Sequence, residues 1–325
     1  MKVFLTGSTG FVGLNILSSL QDAGHEVHLY VRAGSKRDYI ERFDAHLHEG
    51  ELDDLATMTQ AMQGMDAVIH TAGNTSCLER DYDILYQVNV VGTKNIVDAA
   101  LANGVKRLVY TSTTSTIGGS DSQLTPVAED AELTGFRADS PYGRTKVLAE
   151  QEVMRAHQNG IHSIILNPAE IIGAFDHNFQ WGRLIMAVDA NQVPFVPRGS
   201  GSFCSAKAVG DAHVAALTLG CSGERYILAG DDQKYSTFLA LISTLLGKTF
   251  DEPTLDHDRL YNELVQKELD GEDALIEAYR FRVFSGDYFY DCQKACQALN
   301  FEVVKLEDML REAIAWYRDN GFLQA

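Results

Sequence analysis

Proline is scarce in this chain, six in 325 residues, and cysteine scarcer still, with five at Cys77, Cys204, Cys221, Cys292 and Cys296. Six prolines mark loops but make no proline-rich linker, and no stretch repeats or falls to low complexity. The cysteines are odd in number and form no C-x-x-C pair, which excludes a disulfide framework and fits a reducing compartment; a cytoplasmic location is expected. Basic residues are in deficit, 27 against 45 acidic, for a formal charge of −18. That balance argues against nucleic acid or an anionic membrane as a partner, except at a local patch. No window approaches the roughly 18 apolar residues a membrane span needs. The apolar start carries Lys2, as a signal peptide would, yet Gly7, Gly10 and Gly13 interrupt the run and no small-residue cleavage site follows.

What is present is a large supply of core, 45% hydrophobic, enough for a main α/β domain with a smaller lobe. Lys2 to Thr6 reads as a strand that ends in Thr6-Gly7-Ser8-Thr9-Gly10-Phe11-Val12-Gly13, after which Leu14, Leu17 and Leu20 recur at helical spacing. In a strand–turn–helix of this kind Gly7 allows the tight turn, Gly10 the approach of a pyrophosphate, and Gly13 close packing of helix on strand. Val27 to Val31 supplies the second strand. An acidic residue near its end would select NAD, but the chain has Arg32, followed by Ser35, Lys36 and Arg37. Those groups suit a 2′-phosphate, or form a solvated basic loop. NADPH is therefore the preferred cofactor and NAD the alternative.

The alternation continues through a strand at Ala45 to His48, an acidic loop from Glu49 to Asp54, a helix to Met62 and a strand at Asp66 to His70 that runs into Thr71-Ala72-Gly73. A long helix over about Tyr82 to Asn103 precedes a strand at Arg107 to Thr111 and the hydroxyl-rich Ser112 to Thr116. Strands separated by helices predict a parallel, doubly wound sheet, whose ligands sit at the carboxyl ends of the strands. A helix to about His157 begins near Ser140-Pro141-Tyr142-Gly143-Arg144-Thr145-Lys146. At that spacing Tyr142 and Lys146 share a face, and a nearby ammonium would lower the phenol's pKa and ready it for proton transfer, or the stretch is an ordinary amphipathic helix start. A strand at His162 to Leu166 then ends at Asn167-Pro168. Gly173 to Arg183 either lines a substrate pocket or is a surface loop anchored by aromatics. Val193 to Ser202 reads as a Pro/Gly loop, Ala208 to Asp211 as a helix start, Tyr226 to Leu228 as a short strand, and the rest as mostly helix.

These motifs together resemble the extended short-chain dehydrogenase/reductase family, in its dihydroflavonol-4-reductase-like and sugar-epimerase-like branch. The resemblance spans almost the whole chain. It rests on Thr6 to Gly13, Ile69-His70-Thr71-Ala72-Gly73, Asn89-Val90-Val91-Gly92-Thr93, Tyr142 with Lys146, Val209 to Asp211, Gly223 to Leu228 and Asp291 to Ala295. It implies that Tyr142 is the general acid/base, that Lys146 binds the nicotinamide ribose, and that Thr113, or secondarily Ser112, holds the substrate oxygen. Asn89 would support an active-site water network, with helix packing as the alternative. Cofactor contacts would come from Thr6, Gly7, Thr9, Gly10, Phe11, Val12, Gly13, Arg32, Lys36, Glu51, Leu52, Thr71, Ala72, Gly73, Ser112, Asn167 and Pro168. Three positions depart from the pattern: Gly50-Glu51 replaces G-D, Asn167-Pro168 replaces R-P, and Gly210 precedes Asp211 where a second aspartate is usual.

The expected architecture is a Rossmann-type doubly wound parallel sheet over residues 1–170, with part of 203–235 returning to it, and a smaller, mostly helical substrate lobe over 171–202 and 236–325. The expected activity is NADPH-dependent reduction of a ketone or aldehyde. The alternatives are a nucleotide-sugar epimerase or dehydratase, for which Arg183, Arg198 and Lys207 are the candidate diphosphate ligands, and a non-catalytic NAD(P)-sensing protein. A small carbonyl or alcohol substrate is the expected partner, and a homodimer through the helices holding Asn89 and Tyr142 is open. His46 and His48 share a strand face without a recognisable metal motif, so no metal is expected.

Overall fold

The computed structural model describes residues 1–119, 125–254, 256–272, 274 and 276–324. Strands β1 (Lys2–Thr6), β2 (Glu26–Val31), β3 (His46–Glu49), β4 (Ala67–His70), β5 (Arg107–Thr111) and β6 (His162–Pro168) join one sheet. The chain then leaves it for β7 (Glu170–Ile172) and β8 (Ser200–Ser205), and returns with β9 (Arg225–Leu228) before β10 (Asp231–Lys234). The main sheet has the order β3-β2-β1-β4-β5-β6-β9 and every pairing in it is parallel. Parallel strands buried on both faces need apolar residues on both. In β1, Val3 and Leu5 face one core layer while Phe4 faces the other.

The first layer holds α1 (Phe11–Asp22), and the second α2 (Leu55–Ala61). The expected long helix is divided: α3 (Tyr82–Leu85), a π-helical segment Tyr86–Val91, then α4 (Gly92–Ala102). A π segment shifts the side chains beyond it, and Asn89 lies within this one. α5 (Pro141–Gln158) starts where Ser140 caps the Gly143 amide and Pro141 takes the first turn.

The later elements are α6 (Gly182–Asp189), α7 (Ala206–Ala215), α8 (Tyr235–Leu246), α9 (His257–Leu269), α10 (Ala278–Val283), α11 (Gln293–Leu299) and α12 (Leu306–Asp319). α7 packs on α1, where a Cβ at Gly210 would meet the Asn15 carbonyl at 2.6 Å. That contact explains the glycine before Asp211, whose carboxylate accepts from Ser19.

Two expectations need correction. Ser200 to Ser202 were read as loop, yet Ser200–Ser205 is a fully buried strand in a second sheet of order β10-β8-β7. Its Ser-Gly-rich sequence has little intrinsic strand preference, and pairing on both sides enforces the conformation. The edge strand β3 also begins one residue later than expected and includes Glu49.

Candidate active site

The glycine turn shows why its residues are small. Gly7 has φ 73°, and a Cβ there would lie 2.6 Å from the Ala72 nitrogen; one at Gly13 would lie 2.0 Å from the Gly7 oxygen. A Cβ at Gly10 would have no protein neighbour nearer than the Gly7 oxygen at 3.4 Å, so it would occupy the open side of the turn. Gly10 also begins α1 without a side-chain cap, leaving first-turn amides for a ligand. This cradle fits a dinucleotide pyrophosphate. Phe11 is buried, so it would contact a cofactor only through backbone, while Val12 is partly buried against the core.

Thr6 and the Thr71-Ala72-Gly73 segment lie beside that turn. The Thr6 hydroxyl accepts from the Ala72 amide at 3.3 Å and sits 2.7 Å from His70 Nδ1; His70 Nε2 is 3.1 Å from the Thr93 hydroxyl. Burial, with the Lys146 charge in support, pushes His70 down to about 3, so the ring is neutral. It ties β1, β4 and α4 together. The sequence marks His70 only as part of a motif, because its partners come from two other elements.

At the end of β2, Arg32 and Lys36 are exposed and make no ion pair among the described residues, whereas Arg37 pairs with Glu49. Arg37 is thus the member of the basic group that is already engaged. Glu51 is exposed and its carbonyl accepts from the Tyr30 hydroxyl, while Leu52 packs on the second core layer. Gly50 is required by Tyr30, whose hydroxyl would lie 2.2 Å from a Cβ there.

Tyr142, Lys146 and Thr113 meet at the carboxyl end of β5. Burial pushes the Tyr142 phenol up to about 12, and the Cys77 thiol adds to this; the Arg280 charge and a hydrogen bond with Thr113 act in the other direction. The phenol is thus raised, where a lowered pKa was expected. The Lys146 ammonium donates to the Thr111 carbonyl at 2.7 Å and lies 4.2 Å from the centre of the Tyr110 ring. Burial pushes Lys146 itself down to about 7, opposed by the Glu150 carboxylate. Desolvation therefore dominates at both groups.

Ser112 is not available to a substrate in this arrangement. Its hydroxyl donates to Glu150 Oε1 at 2.5 Å, alongside Thr116 at 2.8 Å and the Asn167 amide at 3.0 Å, while Arg225 reaches Glu150 Oε2 at 2.6 Å. The same Asn167 amide donates to the Thr113 carbonyl at 3.1 Å. Asn167 and Pro168 are both buried, so they support the hydroxyl segment from below. Asn89 is likewise committed: its amide donates to the Asn74 carbonyl and the Thr145 hydroxyl, and its oxygen accepts from the Asn74 amide. These contacts join the segment after β4 to α5.

Two further residues arrive from beyond β6. Arg280 of α10 donates to the Thr75 carbonyl at 2.7 Å, and its charge is felt at Tyr142. Burial pushes Glu170 up to about 7, against the charges of Arg280 and Arg137 and a hydrogen bond with Tyr235. No local motif marks either, because only folding of the lobe brings them near β5.

The glycine cradle, parallel sheet and Tyr–Lys helix define a dinucleotide-dependent enzyme. A model of the NAD dependent epimerase/dehydratase family matches residues 3–229, and the chain belongs to that family, as an NAD(P)-dependent oxidoreductase of the extended short-chain dehydrogenase/reductase type. It is 29% identical to a Synechocystis sp. protein named for dihydroflavonol 4-reductase, across 99% of this chain and 96% of that one. A dihydroquinoline-1-oxide ketoreductase of Stigmatella aurantiaca is also 29% identical, across 76% of this chain and 74% of its own length. Among solved structures, gox2253 superposes with a TM-score of 0.86 at 27% identity, covering 99% of both chains.

Proposed function

We propose that this protein reduces a ketone or aldehyde with NADPH, Tyr142 giving its proton to the carbonyl oxygen held by Thr113. The observation that carries the reading is the buried Tyr142 phenol hydrogen-bonded with Thr113, on the helix that also holds Lys146; burial pushes the phenol up to about 12. Bound NADPH would supply the hydride to the carbonyl carbon. Transfer of the phenolic proton then completes the alcohol and leaves a phenolate to be reprotonated from solvent. Lys146 would hold the nicotinamide ribose while keeping the Thr111 carbonyl as a second partner. Arg32 and Lys36, exposed at the end of β2, would read the 2′-phosphate. The reductase and ketoreductase names of the two relatives support carbonyl chemistry.

The family name keeps an epimerase or dehydratase as the second reading. Of its candidate diphosphate ligands, Lys207 is already paired with Asp211 and Asp22. A non-catalytic cofactor sensor has less support, since Tyr142, Lys146 and Thr113 are all in place.

The test is consumption of NADPH and NADH by purified protein against aldehydes, ketones and nucleotide-sugars. Stoichiometric NADPH loss is expected, falling by about 10²-fold or more in Tyr142→Phe. In Arg32→Ala the KM for NADPH should rise about tenfold with that for NADH unchanged. Conversion of a nucleotide-sugar without net cofactor loss would replace this reading with the second.

A further inference from the structure

At the amino end of the sheet edge, far along the strands from the glycine turn, β2 and β3 gather four ligand-type side chains. His28 is the register partner of His46, and Tyr30 of His48. Strand alternation then places Glu26 and His28 on the same face as His46 and His48. His28 Nε2 lies 3.0 Å and His46 Nε2 3.8 Å from Glu26 Oε1, and one donor atom from each of the three falls within 4.8 Å of the others. On its other side, His28 Nδ1 is 2.9 Å from His48 Nε2.

We propose that Glu26, His28 and His46 form a binding site for a divalent metal of the zinc type, with His48 orienting His28. Tetrahedral zinc at about 2.0–2.2 Å from nitrogen and carboxylate donors needs those donors roughly 3.3 Å apart. The two distances to Glu26 Oε1 bracket that value. Glu26 and His46 have side chains 41% and 64% exposed, free to close the remaining gap, while His28 at 11% is fixed by packing.

The hydrogen bonding also suits a metal, because His48 Nε2 lies within reach of the far ring nitrogen of His28 and can hold that ring in place. When His28 donates its Nδ1 proton to His48, its Nε2 lone pair is left facing Glu26 and His46, as a hydrogen-bonded imidazole ligand requires. The competing cation is Lys2, whose ammonium is 3.4 Å from Glu26 Oε1 on a half-exposed, flexible side chain. Such a contact is readily displaced. The fourth zinc position would be left to water, and a metal held only by the folded edge would clip β3 to β2.

The test is titration of chelator-washed protein with Zn²⁺, and with Co²⁺ as a spectroscopic substitute. Binding of one Zn²⁺ per chain is expected, with a rise in Tm of about 4 °C at one hundred times Kd. Bound Co²⁺ should give the intense visible bands of a tetrahedral site. His46→Ala and Glu26→Gln should each weaken binding at least tenfold and abolish the Tm rise, while His257→Ala changes neither. Absence of a Zn²⁺-dependent Tm shift, binding that survives His46→Ala, or an octahedral Co²⁺ spectrum would each overturn the proposal.

Discussion

In the proposed reaction a tyrosine releasing a proton would usually be pictured beside a cation that makes it more acidic, but burial raises the Tyr142 phenol instead. With a pKa of about 12, set first by burial, it stays protonated across the working pH range. The consequence differs between the two directions of one reaction. Reduction needs the phenol, so its kcat/KM should show no loss from Tyr142 below about pH 10. Alcohol oxidation needs the phenolate, whose fraction grows tenfold per pH unit below the pKa, so oxidation should climb toward pH 10. Parallel pH–rate profiles check this, and an oxidation rate that levels off near pH 7 would show that Lys146 or the cofactor lowers the phenol's pKa after all. That Tyr142 and Lys146 share one helix was legible from their spacing; the balance of desolvation against charge was not, because burial belongs to no residue alone.

On α5 the same four-residue step that aligns Tyr142 and Lys146 continues to Glu150. Its carboxylate gathers Ser112 and Thr116 from the hydroxyl segment, Asn167 from β6 and Arg225 from β9. The helix carrying Tyr142 is thereby fixed to the segment carrying Thr113. Glu150→Gln retains an oxygen acceptor but leaves Arg225 without its carboxylate partner, and should cost about 1–3 kcal/mol. Urea unfolding measures that cost, and turnover should fall alongside it because the Thr113 carbonyl shares the Asn167 amide. Unchanged stability would show that solvent replaces the pair, since Arg225 is 35% exposed. The start of α5 could be read from Ser140-Pro141, and the position of Glu150 from periodicity. The glutamate's role could not, since its partners are 17 to 75 positions away.

Across the whole molecule, the segment from Gly173 to Arg183 attaches the later helices to the sheet. Asp176 is buried; its carboxylate accepts from the amides of Gln180, Trp181 and Gly182 and from the Tyr317 hydroxyl of α12. Phe175 meets Trp316, and Phe179 stacks on Tyr317, so these aromatics are anchors. Asp176→Ala would strand several buried donors and should destabilise the protein by about 3 kcal/mol, read as a lower urea midpoint, with Tyr317→Phe costing about 1 kcal/mol. Equal losses in the two variants would show that the tyrosine, and not the loop amides, accounts for the effect. The parallel sheet, the glycine turn and the Tyr–Lys pair were set by sequence alone, because each depends on local periodicity or on residues a few positions apart. Tertiary structure decided the second sheet, the tethering of Asn89, the approach of Arg280 and Glu170, and the meeting of Glu26 and His28 with His46. Those features depend on which distant segments share a face after folding, and no spacing within one segment encodes that.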